Sequence, residues 1–447
     1  MKQKKTRAVV IGGSIAGCLA AEVLSRHFEQ VVLVEKNSVQ DDCSERQSVP
    51  QENHPHVILL AGMRLLENIF PGLSEELVRK GAVSADLIND IKWFHFGQWK
   101  KRYSSDMSTQ FFSRPLLDSC IRSRVLRNSK VQWLSNTTLT SIKFDQSLQV
   151  MGVDIDSPSK MKHLETRLVI DASGQGSRTA KMLENAGLGT VGKSFIETHL
   201  GYISRVYKRS SRPISDWKAM VIWPEPPHQK SIGLLLPIEN DRWLLSSGGW
   251  FNCFPKAEPE SLLKSLQQLP ARDLYDFIKT AEPLSDVHSY RFSGSRWWHY
   301  ERLPSFPDGL IVMGAALCSI NPFFGQGMTL CAMQANQLSI HIGDWLSNKL
   351  STKSIQRSFV KDLQSSWNMA KEEDMRFPET SGKRTFMIKL KHWYGAGFNR
   401  LSASDKRARK LQLKIIHLMT SPNKALQPNI ASRIIWSEVF EKKHSSG

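Results

Sequence analysis

Cysteine is scarce. There are six in 447 residues, none in a CxxC pair and none spaced with a histidine as zinc ligands are. That excludes a disulfide scaffold and an evident metal site. The thiols read as reduced, packed residues of a cytoplasmic protein. No run reaches ~18 apolar residues without a charge, so no spanning helix is expected. Internal repeats, long low-complexity tracts and nucleic-acid-binding modules are absent, and nucleic acid is not an expected partner. Acidic residues are thin at one end: residues 381–447 hold 3 Asp/Glu against 14 Lys/Arg, or +11 of the chain's net +18. Such a tail can meet an acidic carrier protein or an anionic membrane surface, or be a solvated helical face.

What is present is a globular composition, 40% hydrophobic and 23% charged, and length enough for two to three domains of ~150 residues. The basic start followed by VVIGGSIAGCLAA imitates a signal peptide, but a second apolar run, VVLVEK, follows almost at once. The better reading is strand 7–11, helix 15–28 and strand 31–34. Between the first strand and the helix stands Gly12-Gly13-Ser14-Ile15-Ala16-Gly17. Gly12 permits a tight turn, the small Ser14 lets backbone approach a pyrophosphate, and Gly17 lets helix and strand pack closely. The helix start offers free N–H groups to phosphate. Glu35, 23 residues after Gly12, can accept from a ribose diol, and Lys36 follows it.

Helices are expected over 61–69, over 74–80 with Ser74 as N-cap, and over 115–126. A strand pair is expected over 91–103, and two or three strands over 131–151. From about 194 the chain is rich in β-type runs (201–207, 219–223, 231–237, 242–248) with one helical insert at 259–269. A buried run at 309–314 then leads through a Gly-rich turn into a helix ending near 345. The remainder is helical and basic.

Two distant segments add to the first turn. One is the apolar run ending Asp171-Ala172-Ser173-Gly174. The other is Gly314-Ala315-Ala316, followed by Asn321-Pro322-Phe323-Phe324-Gly325-Gln326-Gly327-Met328. With these three in this order the chain resembles the FAD-dependent monooxygenases of the aromatic-hydroxylase type and their flavin-halogenase relatives. Val49-Pro50-Gln51, Phe70-Pro71-Gly72-Leu73, Ser113-Arg114-Pro115-Leu116 and His299-Tyr300-Glu301 fit as well. The resemblance covers roughly residues 7–345. It implies an α/β fold: a Rossmann-like FAD-binding domain (1–193, with pocket strands near 91–103, and a return segment 301–345), an inserted sheet-based substrate domain (194–300) and a basic helical C-terminal region (346–447). It implies FAD held by Gly12, Gly13, Ser14, Ile15, Ala16, Gly17, Glu35, Lys36, Arg114, Asp171, Gly314, Ala315, Pro322, Gly325, Gln326, Gly327 and Met328. Ser14 replaces the middle glycine of the usual turn, and two further positions depart from the pattern. Ala315 stands where the family places an aspartate, and Ala172 where it places a glycine after the aspartate, which leaves open whether NADH or NADPH reduces the flavin directly or through a partner flavin reductase.

The implied function is monooxygenation. A flavin C4a-hydroperoxide would hydroxylate or epoxidise a bulky hydrophobic or aromatic small molecule with O2, in secondary metabolism. His54 and His56 are the candidates to steer protonation; both read equally as satisfied structural histidines. Trp93, Phe96, Trp223, Trp250 and Phe323 are the expected substrate pocket, within a tryptophan cluster that includes Trp243, Trp297 and Trp298. The alternatives are a flavin-dependent halogenase, with Lys92 in a vaguely comparable place but no WxWxIP, and a flavin reductase or non-redox cyclase acting on polyprenyl-type substrates. The basic segment around Lys406-Arg407-Ala408-Arg409-Lys410 would lie on a membrane peripherally, grip an acidic partner, or cap the catalytic part.

Overall fold

The computed structural model describes residues 6–38, 50–158, 160–210 and 215–438; Cys43, Val49 and residues 439–447 lie outside that set. Five parallel strands form the nucleotide sheet in the order Leu310–Val312, Leu168–Asp171, Arg7–Ile11, Gln30–Val34, Val131–Leu134. The first four read as near-continuous aliphatic runs because both faces are covered. Helices Ile15–Ser25, Arg114–Arg127, Gly327–Leu346 and Thr352–Asp374 share one core with these strands. That core continues past residue 345: Ile355, Phe359, Leu363, Trp367 and Ala370 of the helix beginning at Thr352 are buried in it.

Two expected boundaries shift. The first helix ends at Ser25, three residues early. Ser74 is not an N-cap: the helix is Leu73–Arg79, with Gly72 in the left-handed region before it. The capping oxygens come from Glu67 of the preceding helix, which accepts from the backbone N–H groups of Gly72 and Ser74 at 2.5 and 2.9 Å. A carboxylate from a neighbouring turn outcompetes a local hydroxyl for the free N–H groups.

The second large sheet has eight strands, ordered Cys318–Ser319, His288–Trp298, Lys193–Lys208, Arg242–Gly249, Ser231–Ile238, Ala219–Ile222, Ile91–His95, Gln98–Trp99. Ile91–His95 joins parallel to Ala219–Ile222. One face is covered by helices Pro259–Gln267 and Asp273–Ile278. Trp243 lies on that face, packed with Trp217 and Phe277. Trp297 packs on Trp367 in the nucleotide core, and Lys193 and Arg296 lie over Trp298. These three tryptophans therefore leave the expected cluster. The period of two along a strand sends neighbours to opposite faces, which clustering in sequence does not register.

The C-terminal part folds as helices Phe386–Ser404, Lys406–Ile416 and Pro428–Trp436. Thr385 and Asp405 cap the first two through side-chain oxygens. The second turns its apolar face inward, where Leu413 packs with Leu87, Ile88 and Met107. Among the described residues no helix is long and apolar enough to cross a membrane.

Candidate functional site

The three motif segments converge at the carboxyl ends of three adjacent parallel strands, the usual ligand position of such sheets. Ala172 N donates to Ile11 O at 2.8 Å, and Met313 N to Asp171 O at 2.9 Å. Gly12 has φ +99°, and a Cβ there would lie 2.5 Å from Ala172 O. A Cβ on Gly17 would lie 1.7 Å from Gly12 O, and one on Gly314 2.7 Å from the Ala16 methyl. No side chain fits these crossings, so the turn, the Asp171 loop and the Gly314 turn abut.

Glu35 is buried and bound in place. Its Oε2 accepts from Gly13 N at 2.7 Å, and its Oε1 from Asn37 N at 3.0 Å and Asn37 Nδ2 at 2.8 Å. Lys36 beyond it is exposed. Ile15 and Ala16, buried, open the helix after Ser14. Arg114 reaches the turn by donating from Nη2 to Ser14 Oγ at 3.2 Å, while Asp118 Oδ1 accepts from its Nε at 2.7 Å. Asp171 spends both carboxylate oxygens on its own loop: Oδ1 takes Ser173 N and Oγ, and Oδ2 takes Ser177 Oγ and Thr179 Oγ1.

After Gly314, whose N–H donates to Gln334 Oε1 at 2.6 Å, Ala315 presents a methyl group. The next turn is a clamp. Asn321 N donates to Ser295 Oγ at 2.9 Å, its Oδ1 accepts from Phe323 N at 3.0 Å, and its Nδ2 donates to Asp374 Oδ1 at 2.8 Å. Pro322–Phe324 form a 3-10 turn, Gly325 takes φ +64°, and the long helix starts at Gly327 with Met328 buried. Gln326 is buried, and its Oε1 has no partner.

These residues fit an extended FAD. A glycine turn that a Cβ would fill opens one helix and a pre-positioned carboxylate waits beside it. A second helix start carries a buried acceptor with no partner, which a flavin N–H would satisfy.

Sequence reasoning missed two residues. Trp133 lies against the first turn, its Cζ2 2.4 Å from where a Gly13 Cβ would be. Asp374 accepts from Trp250 Nε1 at 2.9 Å as well as from Asn321, and burial pushes its carboxyl up to about 7. Neither has a local signal, since each reaches the site from an ordinary strand or helix.

His54 is buried, and burial pulls its imidazole down to about 3, so it is neutral. Its tautomer follows from the hydrogen bonds behind it. Ser246 Oγ donates to Ile203 O, Ser204 Oγ donates to Ser246 Oγ at 3.0 Å, and Ser204 Oγ lies 2.7 Å from His54 Nδ1. Ser204 has spent its proton, so His54 Nδ1 donates and Nε2 is a bare, buried acceptor without a partner. His54 meets Tyr202 edge-on at 4.7 Å, and Tyr202 lies 5.4 Å from Phe323. His56 is half-buried two residues on.

The expected pocket residues come together as one line of rings. Phe323 meets Trp250 at 4.8 Å, Trp250 meets Trp223 at 6.2 Å, Trp223 meets His95 at 6.1 Å, and His95 stacks on Trp93 at 5.0 Å and meets Phe96 edge-on at 4.7 Å. Lys92 points to the other face, where its Nζ pairs with Asp273 at 2.6 Å over the Trp99 ring. Burial pushes the Cys318 thiol far up, so it stays protonated beside the turn.

A family model described as FAD dependent oxidoreductase matches residues 8–190. Protein Rv3254 of Mycobacterium tuberculosis is 31% identical over 349 residues, covering 75% of this chain and 72% of its own length. The fold is shared with the flavin-dependent brominase Bmp2, at TM-score 0.68 and 14% identity over 99% of this chain and 100% of that one. It is also shared with p-nitrophenol 4-monooxygenase PnpA from Pseudomonas putida, at TM-score 0.64 and 17% identity over 92% and 99%. The chain belongs to the family of FAD-dependent oxidoreductases.

Proposed function

We propose that this enzyme is a monooxygenase that places one oxygen atom of O2 on a bulky aromatic or apolar small molecule. The observation that carries the reading is the line of rings leading away from Phe323 and Phe324 at the flavin-side turn. Such a lining excludes water and holds a planar body beside the turn. FAD, when bound and reduced, would supply the electrons for O2 cleavage. This chain's own residues do the positioning. Gly12 to Gly17 and Glu35 hold the dinucleotide end, with Arg114 behind Ser14. Pro322 to Met328 present the helix start. His54 Nε2 accepts a hydrogen bond from a substrate hydroxyl or amine, and His56 is the second candidate to steer protonation. The reductant is NADH or NADPH, used directly or through a partner flavin reductase. A contact with an acidic carrier or anionic surface would fall on Phe386, Met387 and Leu390, exposed on a helix that also carries Lys389 and Lys391.

The halogenase reading has no support at Lys92, which is engaged with Asp273 away from the rings. The test is anaerobic reduction of the FAD-loaded protein by NADH, NADPH or a generic flavin reductase. Admission of ¹⁸O2 with aromatic substrates follows, with and without bromide. Label in the product supports the reading. Halide-dependent product, or turnover that needs no O2, replaces it with the halogenase or the cyclase.

A further inference from the structure

Two basic side chains are buried at the far end of the ring line without a counter-charge. Arg409, from the helix Lys406–Ile416, is 1% exposed, and its guanidinium lies 4.6 Å from the Trp93 ring centre. Its Nη1 donates to Gln412 Oε1 at 2.9 Å, and its Nε has no partner. Lys100, 3% exposed, donates from Nζ to Asn399 O and, at 2.9 Å, to Ser402 Oγ. Neither has a carboxylate partner among the described residues. Arg376 lies over Phe96 nearby, but Glu373 neutralises it at 2.8 Å. Two further ring nitrogens in the cluster are buried without a partner: the Trp93 Nε1 donor and His95 Nδ1. His95 feels only repulsion, from Lys100, Arg376 and Arg409, and burial with these charges holds it well below the usual imidazole range.

Uncompensated charge in a dry interior is costly, and proteins keep it where a ligand supplies the opposite sign. Trp93 and His95 come from the strand Ile91–His95, Lys100 from just after Gln98–Trp99, and Arg409 from the C-terminal helix Lys406–Ile416, so the arrangement exists only once the tail has docked. It is joined to the flavin-side turn by two ring-to-ring steps, His95 to Trp223 at 6.1 Å and Trp223 to Phe324 at 6.2 Å. That separation suits a ring-bearing molecule with its charge at one end and its reacting atom at the other.

We infer that Arg409, Lys100, Trp93 and His95 bind the carboxylate of an aromatic acid substrate, whose body lies along Trp223 towards the flavin-side turn. The inference rests on the monooxygenase reading for the direction of the substrate, not for the binding itself. The guanidinium and the Trp93 N–H offer directed donors that a carboxylate accepts, and His95 adds a third with its single ring proton placed on Nδ1. Burial pulls the Lys100 amine down to about 7, so an arriving carboxylate restores its charge.

Binding can be read without turnover. Purified FAD-loaded protein is titrated with 1-naphthoate and with 1-naphthamide, following tryptophan fluorescence and thermal melting. The acid should bind at least about tenfold more tightly than the amide, a difference typical of a charge-assisted contact. Arg409→Gln should lose that preference, and Lys100→Met should reduce it, with flavin absorbance as the control for folding. Equal binding of acid and amide overturns the inference, as does undiminished acid binding in both variants. Acetate or chloride binding as tightly as naphthoate, with the same dependence on Arg409, also overturns it, since the cluster then holds a structural counter-ion. Acid binding in a protein that consumes no O2 would leave this site standing and remove the oxygenase reading.

Discussion

Asp374 accepts a 2.8 Å hydrogen bond from Asn321, tying the last residue of the helix Thr352–Asp374 to the turn that precedes Pro322. The same oxygen accepts from Trp250 Nε1, so one buried carboxyl group joins the C-terminal region, the flavin-side turn and the aromatic wall.

That carboxyl group has a pH signature. Burial raises it to about 7 in the folded protein from an ordinary value of 3.8. Between these values the unfolded chain has lost the proton and the native one keeps it, so this group's contribution falls as pH rises from about 4 to about 7 and is flat above. Asp374→Asn keeps the shared acceptor and never ionises. It should match the wild type near pH 4 and exceed it at pH 8 by about 2–4 kcal/mol. Denaturant melts at both pH values check this, and an equal difference at both would refute it.

Asn321→Ala removes the two side-chain hydrogen bonds at that turn, to Asp374 and from Phe323 N, and leaves the backbone bond to Ser295. About 1 kcal/mol of stability per lost bond is expected, together with at least tenfold weaker FAD retention, read by absorbance after gel filtration. Retention equal to wild type would mean that the clamp does not shape the flavin-side turn.

Gly17→Ala puts a methyl where a Cβ would lie 1.7 Å from Gly12 O. Helix and strand must separate, so the purified protein should be colourless. Gly72→Ala is a control at an open glycine, where no atom lies within 4 Å of the new Cβ. It should cost only the backbone strain of positive φ, about 1 kcal/mol, and keep its flavin.

His54 should stay neutral across the working range, since its imidazole is held near 3. The pH profile of turnover should carry no inflection near 6.5 from this group. Nitrogen NMR should show the proton on Nδ1. His54→Gln should alter turnover more than flavin content; a flavin-free variant would instead make the residue structural.

The thiols should separate by accessibility. Burial pushes Cys120 up to about 11 and Cys318 beyond that, whereas Cys253 is exposed. Iodoacetamide at pH 8 should label Cys253 and leave Cys120 and Cys318 intact by mass spectrometry. Labelling of Cys318 in the folded protein would show that the flavin-side turn opens.

Much of the nucleotide end was legible because it is local. Gly12 to Gly17 and Glu35 lie within one β-α-β unit, and a few residue types satisfy a tight turn, a close helix crossing and a ribose partner. The flavin-side turn was legible for the same reason, as an Asn-Pro bend before a Gly-rich helix start. Asp171 was assigned to the cofactor from its motif, yet its oxygens close its own loop.

The amino-acid order alone determined the strands, the turns and the aliphatic runs that bury them, since those depend on neighbours a few residues apart. Only the tertiary structure decided which tryptophans face the flavin-side turn, because one residue of strand register sends a ring to the other face of the sheet. It also decided that the basic tail folds inward. Arg409 lies more than three hundred residues from Trp93 in the chain, and no local pattern records that a guanidinium and an indole separated so far will share one buried space.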